Sequence, residues 1–134
     1  MVEALRVGVV QLNSRSDVAA NVDRARDLVA AAASEGALLV ATPEYTTYLG
    51  PRSGLHAAAT QIPGPGLDPF VETARDLGVW LLAGVVEAGA PGNRCWNTSV
   101  LLAPDGSVGA RYRKVHLFDV EVGPVREFES AAIA

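Results

Sequence analysis

Short apolar runs alternate along this chain with stretches of helical period, and the alternation predicts its elements. Leu5 to Leu12 reads as a first strand: Val7, Val9 and Val10 are β-branched, Gly8 allows close packing, and apolar residues on both faces predict a covered strand. Ser14-Arg15-Ser16-Asp17 breaks the run and offers side-chain oxygens for a helix N-cap. From Val18 to Ser34 the period becomes helical, with Val18, Val22, Ala25, Val29 and Ala32 on one stripe and Gly36 as the stop. Ala37 to Thr42 is a second, continuously apolar strand. Tyr45 to Pro65 is rich in loop residues, with a possible short helix over Leu55 to Gln61. A further helix opens at Asp68-Pro69, presents Phe70, Val71, Ala74 and Leu77 as its apolar face, and closes at Gly78. Val79 to Val86, Cys95 to Leu102 and Val108 to Tyr112 are strands three to five, separated by a turn over Ala88 to Asn93 and a hairpin turn at Pro104-Asp105-Gly106. Asp119 to Ala134 has no clear pattern. Helices between covered strands predict an α/β layered fold.

At 134 residues the chain makes at most one ordinary domain. Its hydrophobic share of 49% and charged share of 19% supply a core and argue against disorder. A net charge of −4 and the lack of a Lys/Arg block argue against a nucleic-acid partner. The apolar runs are far shorter than a membrane span, and Met1 to Arg6 lacks the basic and apolar regions of a signal peptide, so no membrane association is expected. One cysteine cannot form an internal disulfide, which fits a cytoplasmic location.

Two segments carry candidate chemistry. Pro43-Glu44 places a carboxylate directly after a buried strand, at the strand end where reactive groups of α/β sheets collect; the plain alternative is a solvated loop glutamate. In Arg111-Tyr112-Arg113-Lys114-Val115-His116, alternation puts Tyr112, Lys114 and His116 on one face and Arg113 and Val115 on the other. That suggests a polar pocket around Lys114, and the alternative is an exposed edge strand. Cys95, on an apolar strand, reads as structural. His56, in a loop, and His116, on the lysine strand, have no second ligand at metal spacing, so no metal is expected. Pro63-Gly64-Pro65-Gly66 lacks the lysine and hydroxyl of a phosphate loop, and no cofactor is indicated.

Taken together, Val7-Gly8-Val9-Val10-Gln11-Leu12-Asn13, Pro43-Glu44, Trp96-Asn97-Thr98-Ser99-Val100, Pro104-Asp105-Gly106 and Tyr112-Arg113-Lys114-Val115-His116-Leu117-Phe118-Asp119 resemble, in order and spacing, the nitrilase or carbon-nitrogen hydrolase superfamily, and its amidase branch in particular. The resemblance implies that residues 1–134 form the N-terminal part of a single domain, a partial α-β-β-α sandwich. It also implies cysteine-dependent hydrolysis of a small-acid amide through a thioester, with Glu44 as general base and Lys114 as oxyanion stabiliser. Glu129, in Arg126-Glu127-Phe128-Glu129-Ser130, would be the second glutamate that orients the lysine, with Glu127 as the alternative. The family's nucleophilic cysteine follows that glutamate and is not among these residues. Nothing more than a small-molecule amide partner is implied, with homo-oligomers at full length. Two other readings stay open: a non-catalytic homologue acting as a binding or regulatory module, and an unrelated α/β binder, the latter favoured if Glu44 and Lys114 lie far apart.

Overall fold

The computed structural model describes residues 4–134; Met1–Glu3, part of the stretch read for a signal peptide, lie outside the described residues. The elements run β1 (Val7–Val9), α1 (Val18–Ser34), β2 (Leu39–Ala41), a 3-10 turn (Arg52–Gly54), α2 (Leu55–Ala58), α3 (Asp68–Leu77), β3 (Trp80–Ala90), β4 (Arg94–Leu102), β5 (Val108–Arg113), β6 (Asp119–Val122), β7 (Val125–Phe128) and a 3-10 turn (Glu129–Ala131). The first five strands form one sheet in sequence order. β1, β2 and β3 pair in parallel, and β3, β4 and β5 pair antiparallel. β6 and β7 form a separate hairpin.

Local chemistry sets these boundaries. The Asp17 carboxylate caps α1 by accepting from the Ala20 N–H at 3.0 Å, satisfying a donor the helix leaves free. α3 ends at Gly78, whose left-handed φ of 64° returns the chain toward β3. The stripe Val22, Ala25 and Val29 of α1 and the residues Phe70 and Ala74 of α3 are buried against Val40, Leu81, Ala83, Val85, Val100 and Leu102 of the sheet. Fully burying each of the larger side chains contributes about 1.5–3 kcal/mol. Gly8 faces α1, where an added Cβ would come within 2.8 Å of the Ala32 Cβ. Among the described residues, no helix is long and apolar enough to cross a membrane.

Several expectations need correction. Only Val7–Val9 of the run Leu5–Leu12 is laddered, and this strand is not covered on both faces: Val9 is 84% exposed. β1 is the sheet edge; α1 and α3 cover the face that Gly8 shares with Val40 and Leu81, while the short α2 packs on the other face only over Val86 and Cys95 and leaves Val7 and Val9 bare. Leu77 does not join the apolar face of α3 but is exposed. Thr73 takes the buried place, its hydroxyl donating to the Pro69 carbonyl and accepting from Arg26 Nε. The short helix ends at Ala58 rather than Gln61 and contains His56, which is therefore not in a loop. β3 runs on through Glu87 to Ala90, so the turn shrinks to Pro91-Gly92-Asn93. β5 ends at Arg113, so Lys114 and His116 follow the strand instead of lying in it. The unpatterned tail from Asp119 holds the β6–β7 hairpin.

Candidate active site

Glu44 owes its position to the way the chain leaves β2. The Thr42 N–H still bonds to the Leu82 carbonyl at 2.9 Å, after which Pro43 and Glu44 cross over β3 at Gly84. A Cβ at Gly84 would lie 2.2 Å from the Pro43 oxygen and 3.1 Å from the Glu44 Cα, so only glycine allows the crossing. Tyr45 then takes a left-handed φ of 54°, a conformation that costs a residue with a bulky side chain about 1–3 kcal/mol. The buried Thr46 hydroxyl fastens the turn, donating to the Pro43 carbonyl at 2.7 Å.

Lys114 arrives from the opposite edge. Its N–H bonds to the Asn97 carbonyl at 2.8 Å, extending the β4–β5 pairing by one residue. Its Nζ donates to Glu44 Oε1 at 2.7 Å and to Glu129 Oε2 at 2.8 Å. Asn97, buried in β4, donates from Nδ2 to Glu44 Oε1 at 2.5 Å and reaches Glu129 Oε1 at 3.2 Å. Glu129 opens the final 3-10 turn and is buried. It also accepts from the Tyr45 hydroxyl at 2.5 Å and from the Phe118 N–H at 2.6 Å. Thus Glu44, Lys114 and Glu129 meet in one cluster, far inside the roughly 6 Å over which opposite charges couple strongly. Glu127 does not join it. That side chain is exposed and pairs with Arg52 at the rim.

The electrostatics follow from this geometry. Burial works against ionisation of Glu129, but the hydrogen bonds from Lys114, Tyr45, the Phe118 N–H and Asn97 outweigh it and hold its carboxyl down to about 2. Burial likewise opposes the charge on Lys114, and its bonds to Glu129 and Glu44 overcome that and raise its pKa. Desolvation, followed by the hydrogen bond to Glu129, pushes the Tyr45 hydroxyl well above the usual phenol range, so it stays a donor. Two carboxylates sharing one ammonium leave the cluster with a formal charge of −1. Of the two, Glu44 faces outward, its side chain 53% exposed against 9% for Glu129.

A cleft of about 300 Å³ opens on the cluster, lined by Glu44, Tyr45, Arg52, Lys114, Phe118 and Glu129 among others. That is the small end of ligand sites. Cys95 does not line it: the thiol is buried among Tyr48, Leu55, Val86 and Ile133, 3.6 Å from His56 Nδ1. Burial raises its pKa, the reverse of what a nucleophilic thiolate needs. Among the described residues, no group of three or more His, Cys, Asp or Glu could hold a metal ion. Sequence reasoning did not assign Asn97 or Tyr45 to the site. The legible sign of Asn97 was an amide in an otherwise apolar strand, since a buried polar side chain must find partners.

Known proteins share this arrangement of elements. The chain is 35% identical over 130 residues to omega-amidase NIT2 of Danio rerio, covering 96% of this chain and 47% of that protein. It is 38% identical over 117 residues to deaminated glutathione amidase of Synechocystis sp., covering 84% and 42%. It therefore spans about half the length of the curated relatives it matches. Among solved structures, the NitFhit protein of C. elegans superposes with a TM-score of 0.83 at 28% identity, over 96% of this chain and 32% of that one. NitN amidase from Nesterenkonia sp. AN1 does so at 0.79 and 27%, over 98% and 49%. A mutant of the Nesterenkonia amidase shows the result of Michael addition of acrylamide at its active-site cysteine. The carbon-nitrogen hydrolase family model matches residues 6–133, and on that match, with the shared α/β fold, the chain belongs to the carbon-nitrogen hydrolase family of the nitrilase superfamily.

Proposed function

We propose that this chain supplies the base and the oxyanion-stabilising groups of a cysteine-dependent hydrolase acting on amides of small acids. The observation that carries the reading is Lys114 Nζ held between Glu44 and Glu129 at 2.7 and 2.8 Å beside a small cleft. The names of the relatives, omega-amidase and deaminated glutathione amidase, support amides as the substrate class. Cys95 is the sole thiol of the sequence and lies outside the cleft. In this reading Cys95 is not the nucleophile, and the attacking thiol is supplied from outside these 134 residues, as the family resemblance implies.

In the proposed reaction, Glu44 accepts the proton of that thiol as its sulfur attacks the amide carbonyl carbon. The tetrahedral oxyanion forms against the Lys114 ammonium, a donor worth roughly 3–4 kcal/mol when preorganised. Glu44 returns the proton to the leaving nitrogen, ammonia departs, and a thioester remains. Glu44 then takes a proton from water, which attacks the thioester to release the carboxylate and regenerate the thiol. General base catalysis of this kind contributes about 10²–10⁴-fold. Glu129, kept ionised by four donors, holds Lys114 charged and aimed.

The test is ammonia release from small ω-amides by the protein at its natural length. Glu44→Gln and Lys114→Ala each abolish turnover with the fold retained, and Cys95→Ala leaves it. Near-normal rates in Glu44→Gln, or loss of turnover in Cys95→Ala, would refute the assignment.

A further inference from the structure

A second ion cluster lies on the other face of β4 and β5. Glu87 of β3 is 2% exposed. Its carboxylate accepts from Arg113 Nη2 at 2.6 Å and Nε at 3.0 Å, from Arg111 Nη1 at 3.0 Å and from the Thr98 hydroxyl at 2.7 Å. The Arg113 guanidinium also stacks 3.3 Å above the Trp96 ring. Burial disfavours the Glu87 charge, but the bonds from Arg113 and Thr98 and the field of Arg111 win, and its pKa is lowered.

The placement of this cluster is what matters. Thr98 follows Asn97 in β4, Arg113 precedes Lys114, and Thr98 and Arg113 are register partners. Successive strand residues point to opposite faces, so Asn97 and Lys114 reach Glu44 and Glu129 while their neighbours reach Glu87 behind the sheet. Lys114 stands just past the last residue of β5, on a long flexible side chain that loses much rotamer freedom when fixed. The residue before it is the one Glu87 grips with two hydrogen bonds. Stability alone does not call for a buried ionic group here, because apolar replacement of such groups is often neutral or better.

We propose that Glu87 is a positioning residue: by gripping Arg113 and Thr98 from the helix-covered face, it fixes where Lys114 and Asn97 meet Glu44 and Glu129. The kinetic consequence rests on the hydrolase reading above, whereas the geometric one does not. Glu87 touches no group in the cleft, so it acts only through its neighbours in the strands.

Glu87→Gln keeps the shape and removes the charge, and Arg113→Lys keeps the charge and removes the two-pronged grip. Each is compared with Val100→Ala, a buried β4 position in neither cluster. Two readouts are taken on the protein at natural length: the titration midpoint of the Glu129 carboxyl by ¹³C NMR, and kcat and KM for a small ω-amide. In both cluster variants the Glu129 midpoint rises by about one unit, a tenfold change in proton affinity. In both, kcat falls by up to about 100-fold, as for a 1 Å misplacement of a reacting group, and KM changes little. Val100→Ala loses stability but moves neither readout. If Glu87→Gln loses stability as Val100→Ala does, with the Glu129 midpoint and kcat unmoved, the proposal is overturned. Should no amide be turned over by the parent protein, the hydrolase reading falls, and the Glu129 midpoint alone decides the role of Glu87.

Discussion

Replacing Glu129 by glutamine removes the charge around which the cluster is built, and the structure sets the size and sign of the effect. The Glu129 carboxyl is held down to about 2 against an ordinary 4.5. With about 1.4 kcal/mol per pKa unit, the ionised group contributes about 3 kcal/mol to the native state. The side chain is 9% exposed, so water screens little of this. Because the native pKa lies below the unfolded one, the contribution is complete above pH 4.5. It then declines as the unfolded chain takes up its proton first, and it is gone below about pH 2. Urea unfolding of Glu129→Gln and the parent protein, followed from pH 7 to pH 2, should therefore show a gap of about 3 kcal/mol at pH 7 that closes through the window from 4.5 to 2. Glu87, whose carboxyl pKa is also lowered but by groups on the other sheet face, titrates alike in both proteins and cancels in the difference. Parallel acid limbs, or a Glu129 ¹³C midpoint near 4 in the parent, would refute the account of the cluster given above.

Three further outcomes are expected. Tyr45→Phe deletes one donor to Glu129, costing about 1 kcal/mol and raising the Glu129 midpoint measured by ¹³C NMR. Gly84→Ala drives a methyl into the Pro43 carbonyl, so thermal unfolding should show a loss of about 1–3 kcal/mol, and the displaced Glu44 should lower ω-amide turnover. Native Cys95 should react with iodoacetamide far more slowly than the same thiol in urea, since burial both hides it and raises its pKa; equal rates would place the thiol at the surface.

The α/β alternation was legible because local pattern decides it: the stripe of α1, the glycine ending α3 and the apolar run of β4 are each set by residues near one another in the chain. Glu44 was legible from its place after β2, but the face expected to join Lys114 with Tyr112 and His116 was not found: both are exposed and line no part of the cleft, and Lys114 finds its partners across the chain instead. What pattern could not give depends on partners distant in sequence. The expected third strand stopped at Val86, one residue short of Glu87, whereas Arg111 and Arg113, more than twenty positions on, pair that carboxylate and carry the strand through it. The alternating apolar residues of β1 were read as covered on both faces, although Val7 and Val9 lie on a sheet face that α1 and α3 leave uncovered. Glu127 and Glu129 could not be separated on the chain, since what divides them is the fold of the hairpin, which turns one toward Arg52 and the other toward Lys114.

The five-stranded sheet joins two halves whose chain closures differ in length. β3, β4 and β5 are linked only by residues 91–93 and 103–107, whereas β1, β2 and β3 must close crossovers of residues 10–38 and 42–79. The longer closures cost about 2 kcal/mol more in chain entropy, and such non-local pairing slows folding. Glu44 belongs to the slow half, Lys114 to the fast one, and Glu129 arrives from the hairpin beyond both. Their meeting is therefore expected to be a late event in folding. In a refolding experiment, Trp96 fluorescence is expected to change before the Glu129 carboxyl reaches its low pKa, because that pKa needs donors from all three segments. That single acid group would thus report whether these three segments have joined, distinguishing a collapsed chain from an assembled site.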